Sequence, residues 1–208
     1  MSESYLEVEL RYKVYDVKAC LARLESHGIT VMHTEHLIDE WYLPRTIQSL
    51  DAQRSWFDDE KGVAWRIRQS ERDGKKQLDV TSKQLTSDSN HNSFHETTAA
   101  FENYEQAVKA MDERDYKNWL IIDKTRYFLT STNPDIENEK FELVIDEIEG
   151  LAEKIGIGAC LEIEHKGTAT REAALENIES IAATLGFSDE DRFEKSLTVV
   201  SMTELAFF

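Results

Sequence analysis

Strict alternation of apolar and ionisable residues in short segments is the feature that most constrains the fold of this chain. In Tyr5–Val14, apolar side chains alternate with Glu7, Glu9 and Arg11. A period of two residues is typical of a β-strand whose two faces lie in different surroundings. Comparable alternation recurs along the chain and predicts about eight strands, the others being Leu37–Leu43, Val63–Ser70, Gln77–Gln84, Phe94–Ala99, Trp119–Leu129, Lys140–Glu147 and Cys160–Lys166.

Three segments have the 3.6-residue period of amphipathic helices instead: Asp16–Ser26, Tyr104–Arg114 and Arg171–Leu185. Asp16 and Thr170 are suitable N-cap residues for the first and last of these helices. The predicted order is strand, helix, several strands, helix, further strands, helix. Such an order predicts an α+β fold with a mostly antiparallel sheet, because a parallel sheet requires regular βαβ alternation.

Composition narrows the class of protein and its partners. The 208 residues carry a formal net charge of −17, which argues against binding to nucleic acid or to an anionic membrane surface. We find no transmembrane-length apolar run and no signal peptide. The two cysteines, Cys20 and Cys160, suit a reducing compartment. We therefore expect a soluble cytoplasmic protein and, since no linker divides the chain, a single domain over residues 1–208.

The charged strand faces are segregated by sign. Two strands carry paired carboxylates and two carry paired cations, namely Glu7/Glu9, Glu162/Glu164, Arg66/Arg68 and Lys124/Arg126. Hard divalent cations such as Mg²⁺ or Mn²⁺ prefer carboxylate oxygens, whereas arginines bind phosphate. On any single strand, a solvated sheet face is the simpler interpretation. The set as a whole favours the inner face of a closed sheet that binds a metal–polyphosphate complex.

These segments, in this order, resemble the CYTH family of triphosphate tunnel metalloenzymes. The family includes class IV adenylyl cyclases, thiamine triphosphatases and inorganic tripolyphosphatases. EVELR at Glu7–Arg11 resembles its ExExK signature. The further resemblances extend over nearly the whole chain: DEWYL at Asp39–Leu43, WRIR at Trp65–Arg68, DVTSK at Asp79–Lys83, KTRY at Lys124–Tyr127, VID at Val144–Asp146, LEIE at Leu161–Glu164 and EKS at Glu194–Ser196.

The resemblance implies an eight-stranded antiparallel β-barrel that forms a tunnel, with helices packed on its outside. The residues implied to bind the triphosphate substrate are Arg11, Arg66, Arg68, Lys83, Lys124, Arg126 and Lys195. The residues implied to hold one or two Mg²⁺ or Mn²⁺ ions are Glu7, Glu9, Asp146, Glu162 and Glu164. The catalytic residues would be Glu7, Glu9, Arg11, Glu162 and Glu164. A homodimer is possible by family analogy.

The sequence departs from the family pattern at three places. Arg11 replaces the signature lysine, so it keeps the charge but lacks a titratable amine. Trp41 precedes Tyr42 where two tyrosines are often seen. After the LTxK-like strand, the family often has an Arg-x-Glu pattern, but here Phe94 stands two residues before Glu96.

The main functional hypothesis is metal-dependent hydrolysis of an inorganic or organic triphosphate, such as tripolyphosphate, thiamine triphosphate or a nucleoside triphosphate. The alternative reaction is cyclisation of ATP to cyclic AMP and pyrophosphate, although we identify no adenine-specific motif. A non-catalytic polyphosphate-binding module is a second alternative. The third is a sheet whose charged face serves protein association.

Overall fold

The eight predicted strands are all present. The structure is a computed structural model that describes residues 4–56, 62–72, 74–85, 93–166, 170–193, 200–201 and 204, with the backbone alone described at 4–7, 85, 93 and 94. The strands are β1 Ser4–Val14, β2 Ile29–Pro44, β3 Val63–Arg72, β4 Lys75–Leu85, β5 Ser93–Ala99, β6 Tyr116–Ser131, β7 Phe141–Ile148 and β8 Ala159–His165.

The strands form a closed antiparallel barrel. Around the ring the order is β1-β5-β4-β3-β2-β6-β7-β8, and β8 pairs with β1. β1 closes the ring in two parts, because residues 4–8 pair with β5 and residues 8–14 pair with β8. This architecture confirms the predicted eight-stranded barrel.

The described residues also contain five α-helices: α1 Val17–Ser26, α2 Leu50–Arg54, α3 Tyr104–Glu113, α4 Leu151–Ile155 and α5 Arg171–Thr184. The three predicted helices agree with α1, α3 and α5. The predicted N-caps are confirmed, since Asp16 accepts a hydrogen bond from the Ala19 amide at 2.9 Å and Thr170 accepts one from the Ala173 amide at 3.4 Å. In the described part of the chain, no helix has the length and apolarity needed to cross a membrane.

The polarity of the barrel is inverted relative to an ordinary globular core. Leu10 of β1, Ile145 of β7 and Leu161 of β8 point outward and are fully buried. They belong to one apolar cluster with Leu24 of α1 and Ile178 of α5. Burial of a side chain of this size contributes about 1.5–3 kcal/mol, so the helices and the outer faces stabilise each other. The alternate residues of the same strands, which are charged, face the barrel interior.

β2 begins earlier than the sequence predicts. Its first residue is Ile29, whereas alternation is clear only from Leu37. The register with β6 shifts between Val31 and His33, so Met32 is an extra residue at a β-bulge. A bulge reverses the faces on which successive residues lie, and this conceals the two-residue period.

Candidate functional site

The barrel interior contains a cavity of about 170 Å³. Its described lining is almost entirely charged, with six acidic and six basic side chains. These are Glu9, Asp39, Glu96, Glu142, Glu162, Glu164, Arg11, Arg66, Arg68, Lys83, Lys124 and Arg126, joined by Trp41 and Val144. Alternation brings each charged side chain inward while its sequence neighbours pack outside.

The structure brings most of the predicted site residues together at this cavity. All of the predicted phosphate-binding cations except Lys195 line it, and Lys195 lies outside the described residues. Among the predicted metal ligands, Glu9, Glu162 and Glu164 line the cavity. The backbone of Glu7 lies in β1, but its side chain is outside the described part of the structure.

Carboxylates form a row across three adjacent strands. Glu9 of β1 lies directly opposite Glu164 of β8, which lies opposite Glu142 of β7. Directly opposed side chains in antiparallel strands have Cβ atoms about 4.5–5.5 Å apart, so like charges there repel. Glu9 contacts Arg11, and Glu142 contacts Lys166. Among the described residues, no three His, Cys, Asp or Glu side chains converge closely enough to hold a metal ion.

Asp146 is buried among cations. Its carboxylate accepts hydrogen bonds from Arg126 Nε and Nη2, each at 2.6 Å, and from Lys124 Nζ at 2.5 Å. Burial opposes ionisation of this carboxyl, but Arg126 and Lys124 outweigh it and lower the pKa of Asp146. The structure therefore gives Asp146 the contacts of a group that orients two cations, and its predicted role as a metal ligand would require an exchange of these bonds.

Asp39 has the same kind of environment on β2, which lies on the other side of β6 from β7. It accepts a bidentate pair of bonds from Arg68, at 2.6 and 2.7 Å, and its Oδ2 lies 3.4 Å from Lys124 Nζ. Despite complete burial, these cations hold the pKa of Asp39 well below its usual value. Sequence reasoning missed this residue as a site residue, because Asp39 is a single carboxylate and not one of a pair.

Glu162 connects the acidic row to the cations. Its Oε1 accepts a hydrogen bond from Arg11 Nε and its Oε2 accepts one from Arg126 Nη2, both at 3.0 Å. Arg126 also binds Asp146, so three carboxylate–guanidinium contacts are linked. Burial and the nearby Arg126 lower the pKa of Lys124. The cations are consequently held in fixed positions before any ligand binds.

Arg66 has the weakest acidic contact of the cavity arginines. Its Nη2 lies 3.4 Å from Asp79 and 3.5 Å from Thr81, both long for a hydrogen bond. Its Nε is buried and has no hydrogen-bond partner among the described atoms. An unsatisfied buried donor costs about 1–3 kcal/mol, so Arg66 retains unused capacity to bind an anion.

Four further lining residues were not predicted as site residues, namely Trp41, Glu96, Glu142 and Val144. Glu96 of β5 contacts Lys83, its direct partner on β4. The signal for Glu96 was the alternation of β5, which places Glu96 and Thr98 on one face. Trp41 of β2 also lines the cavity, and the Arg66 guanidinium lies 6.0 Å from the centroid of its ring.

An apolar cluster lies beside the charged cavity. Trp41, Leu43, Ala64 and Ile122 form an apolar cluster with Leu151 of α4. These side chains are buried, with at most 4 % of their surface exposed. Trp41 belongs to this cluster and also lines the charged cavity, so the cluster adjoins the cavity.

Comparisons with known proteins agree with this architecture. The family model for the CYTH domain matches residues 6–197. The PH1819 protein of Pyrococcus horikoshii OT3 has a similar structure, with a TM-score of 0.73 and 20% identity over 95% of this chain and 98% of its own. A Vibrio parahaemolyticus protein proposed to be an adenylate cyclase gives a TM-score of 0.68 and 18% identity over 96% of this chain and 99% of its own. At such identities the likeness concerns the fold. No curated protein sequence matches the chain significantly.

Proposed function

The chain belongs to the CYTH domain family, and on that premise we propose that it is a divalent-metal-dependent enzyme. It binds a triphosphate group inside the barrel and hydrolyses it, the substrate being an inorganic or organic triphosphate. The observation that carries the proposal is Arg66, whose Nε is buried without a partner in a cavity that six cations line. A phosphate oxygen is the acceptor that such a donor fits best.

The cavity residues would bind the phosphates by exchanging partners. Arg68, Lys124 and Arg126 are held by carboxylates, so each can transfer hydrogen bonds to phosphate oxygens without first becoming ordered. Prior ordering reduces the entropic cost of binding and keeps the charges aimed at the phosphates during reaction. Most of the catalysis of phosphoryl transfer is positioning and charge neutralisation, and this set of cations suits both.

The row of carboxylates supplies the type of donor oxygen that a divalent cation prefers. Glu9, Glu162 and Glu164 would hold the ion, and Glu7, the further predicted ligand, precedes Glu9 by two residues on β1. A bound Mg²⁺ or Mn²⁺ would neutralise charge on phosphoryl oxygens and orient the attacking nucleophile. The ion would also relieve the repulsion between Glu9 and Glu164, which face each other across two strands.

The direct test is a panel of substrates with the purified full-length protein. Tripolyphosphate, ATP and thiamine triphosphate are incubated separately with Mg²⁺ or Mn²⁺, and phosphate, pyrophosphate and cyclic AMP are measured. We expect phosphate release from at least one substrate and its loss when EDTA is added. If no product forms from any of them, the proposed enzymatic function is wrong.

Two variants separate the proposed roles. Arg66→Ala should raise the KM for the triphosphate about 10- to 100-fold, because a hydrogen bond to a charged group contributes about 1.5–3 kcal/mol. Glu162→Gln should weaken calorimetric Mn²⁺ binding and lower kcat. Lys109→Ala, on the exposed face of α3, is the control and should change neither quantity. If both cavity variants behave like this control, the cavity is not the site.

Two observations favour other functions of the same site. The likeness to the Vibrio protein suggests cyclisation of ATP, which the panel detects as cyclic AMP with pyrophosphate. Arg11, in the place of the signature lysine, is engaged by Glu9 and Glu162, which suits a binding module without turnover. Triphosphate binding without product, together with activity gained by Arg11→Lys, would support the binding module.

A further inference from the structure

β2 and β6 extend as a paired ribbon beyond the end of β3, and β7 flanks β6 up to Phe128. In the described residues, β2 pairs with β3 only from His36 onward, whereas its pairing with β6 continues back to Ile29. Arg126 lines the cavity, and Phe128 lies two residues further along β6. Residues two apart on a strand share a face, so the ribbon continues the inner wall of the barrel past Arg126.

The inner face of this ribbon carries an aromatic stack. His33 and Phe128 are direct cross-strand partners, and their rings are 4.3 Å apart between centroids with an interplanar angle of 15°. Both side chains are only partly buried. The Arg126 guanidinium lies 6.0 Å from the centroid of the Phe128 ring. A flat aromatic surface thus adjoins one of the cavity cations.

His33 is held in place and keeps an unused hydrogen-bonding atom. Its Nε2 lies 3.1 Å from the Glu35 carboxylate, which is on the same face of β2. Its Nδ1 is buried without a hydrogen-bond partner among the described atoms. Buried polar atoms are nearly always paired in folded proteins, so an unpaired ring nitrogen marks a position where a polar ligand can be accommodated.

Sheet stabilisation alone does not explain the stack. The apolar cluster that includes α1 and α5 lies outside the barrel, and on β6 it is Tyr127 and Leu129 that pack against that cluster. Phe128 and His33 lie on the opposite face, together with Arg126 and Glu35. An aromatic pair that lies among charged groups and keeps accessible surface is suited to contact the planar part of a ligand.

We propose that the His33–Phe128 pair is a subsite for the aromatic heterocycle of an organic triphosphate. This inference rests on the proposed function and narrows it. The phosphates lie among the cations of the cavity, and the heterocycle stacks on the aromatic pair of the ribbon next to Arg126. The substrate class is therefore a nucleoside triphosphate or thiamine triphosphate, and bare tripolyphosphate lacks the group that this subsite binds.

The test compares ring-bearing and ring-free ligands in matched variants. Calorimetric dissociation constants are measured with Mg²⁺ for ATP, thiamine triphosphate and tripolyphosphate. His33→Ala and Phe128→Leu should weaken binding of at least one organic triphosphate about tenfold, since stacking on an aromatic side chain has an effect of this size. Tripolyphosphate binding should change less than twofold. The organic ligand that is affected identifies which heterocycle the subsite takes.

Two further variants control for folding and for histidine chemistry. His33→Phe preserves the aromatic surface but lacks Nδ1, so it should bind the organic ligand more tightly than His33→Ala does. His36→Ala removes a histidine from the outer face of the same strand and should change no dissociation constant. Equal effects of His33→Ala on all three ligands, or no effect on any, would overturn the subsite while leaving the proposed function intact. If the wild type binds none of the three, the proposed function fails and the subsite fails with it.

Discussion

At the scale of single residues, the cavity cations are held in position by carboxylates, and some of these carboxylates were hard to recognise in the sequence. The paired residues Arg66 and Arg68 were predicted because two like charges on one strand face are conspicuous. Asp39 is a lone carboxylate with Glu40 beside it, and alternation does not distinguish a buried partner of a cation from a solvated side chain. Its importance depends on Arg68 and Lys124, which reach it from other strands.

Removal of the Asp39 charge should destabilise the fold. Asp39→Asn leaves Arg68 buried without its paired carboxylate, and breaking a buried ion pair costs about 3–5 kcal/mol. The folded state lowers the pKa of Asp39, so its stabilising contribution is complete above the unfolded pKa of about 3.9 and is lost as the pH falls through the lower folded pKa. We therefore expect Asp39→Asn to have a much lower free energy of unfolding in urea than the wild type at pH 7. The difference between the two proteins should become smaller only in strong acid.

Asp112→Asn is the matched control for this measurement. Asp112 pairs with Arg45 on the surface, and 68% of its side chain is exposed. Exposed pairs of this kind contribute about 0–1 kcal/mol, so the control should lie close to the wild type at every pH. Equal stability of Asp39→Asn and the wild type at pH 7 would contradict the importance assigned to Asp39.

At the scale of secondary-structure elements, the long amphipathic helices and the strands were predictable because each contains several periods of its pattern. Helices α2 and α4 each have five residues, too few to display a 3.6-residue period. The first part of β2 was missed because of its bulge. The position of α3 on the barrel likewise depends on a contact that no periodicity reveals: Glu40 of β2 is 8% exposed and accepts hydrogen bonds from Tyr42 and Tyr104.

The contact between Tyr104 and Glu40 should contribute measurably to the attachment of α3. The Tyr104 hydroxyl donates a hydrogen bond to Glu40 at 3.0 Å. Burial is the larger cause that raises the pKa of Tyr104, and this hydrogen bond is the second. Tyr104→Phe should lower the free energy of unfolding by about 1.5 kcal/mol, the usual effect of losing a hydrogen bond to a charged group. Tyr15→Phe, at a side chain that is 69% exposed, should have no effect in the same urea titration. Similar stability of the two variants would exclude Glu40 as an anchor of α3.

At the scale of the whole molecule, the net charge of −17 belongs outside the cavity, because the described lining contains equal numbers of acids and bases. Alternation and charge pairing predicted that cations and carboxylates share the inner face. They did not predict the order of strands around the ring or the register between them, because those depend on pairings between distant segments. The barrel and its closure followed instead from the family resemblance, and the strand pairings agree with it.

Ligand binding to this cavity, in which acidic and basic side chains are equal in number, should stabilise the entire fold. With Mg²⁺ and tripolyphosphate at about 100 times the Kd, linkage predicts a gain of about 2.7 kcal/mol. For a chain of this length, that gain corresponds to an increase in Tm of about 5–10 °C. Differential scanning fluorimetry measures the increase, and Arg66→Ala should reduce it at the same ligand concentration. An unchanged Tm over a wide range of ligand concentrations would argue against binding in the cavity.

The two-part closure by β1 has a consequence for the way the chain folds. Residues 8–14 find their β8 partners at residues 159–165, roughly 150 positions later in the sequence. During synthesis at about 5–20 residues per second, β1 leaves the ribosome roughly 8–30 s before β8 exists. Over that interval the charged residues of β1 have no partner strand on the edge that later pairs with β8. Of the eight barrel strands, β1 is thus synthesised first but is among the last to be fully paired. Folding of the barrel is expected to be slow because this pairing joins segments so distant in sequence.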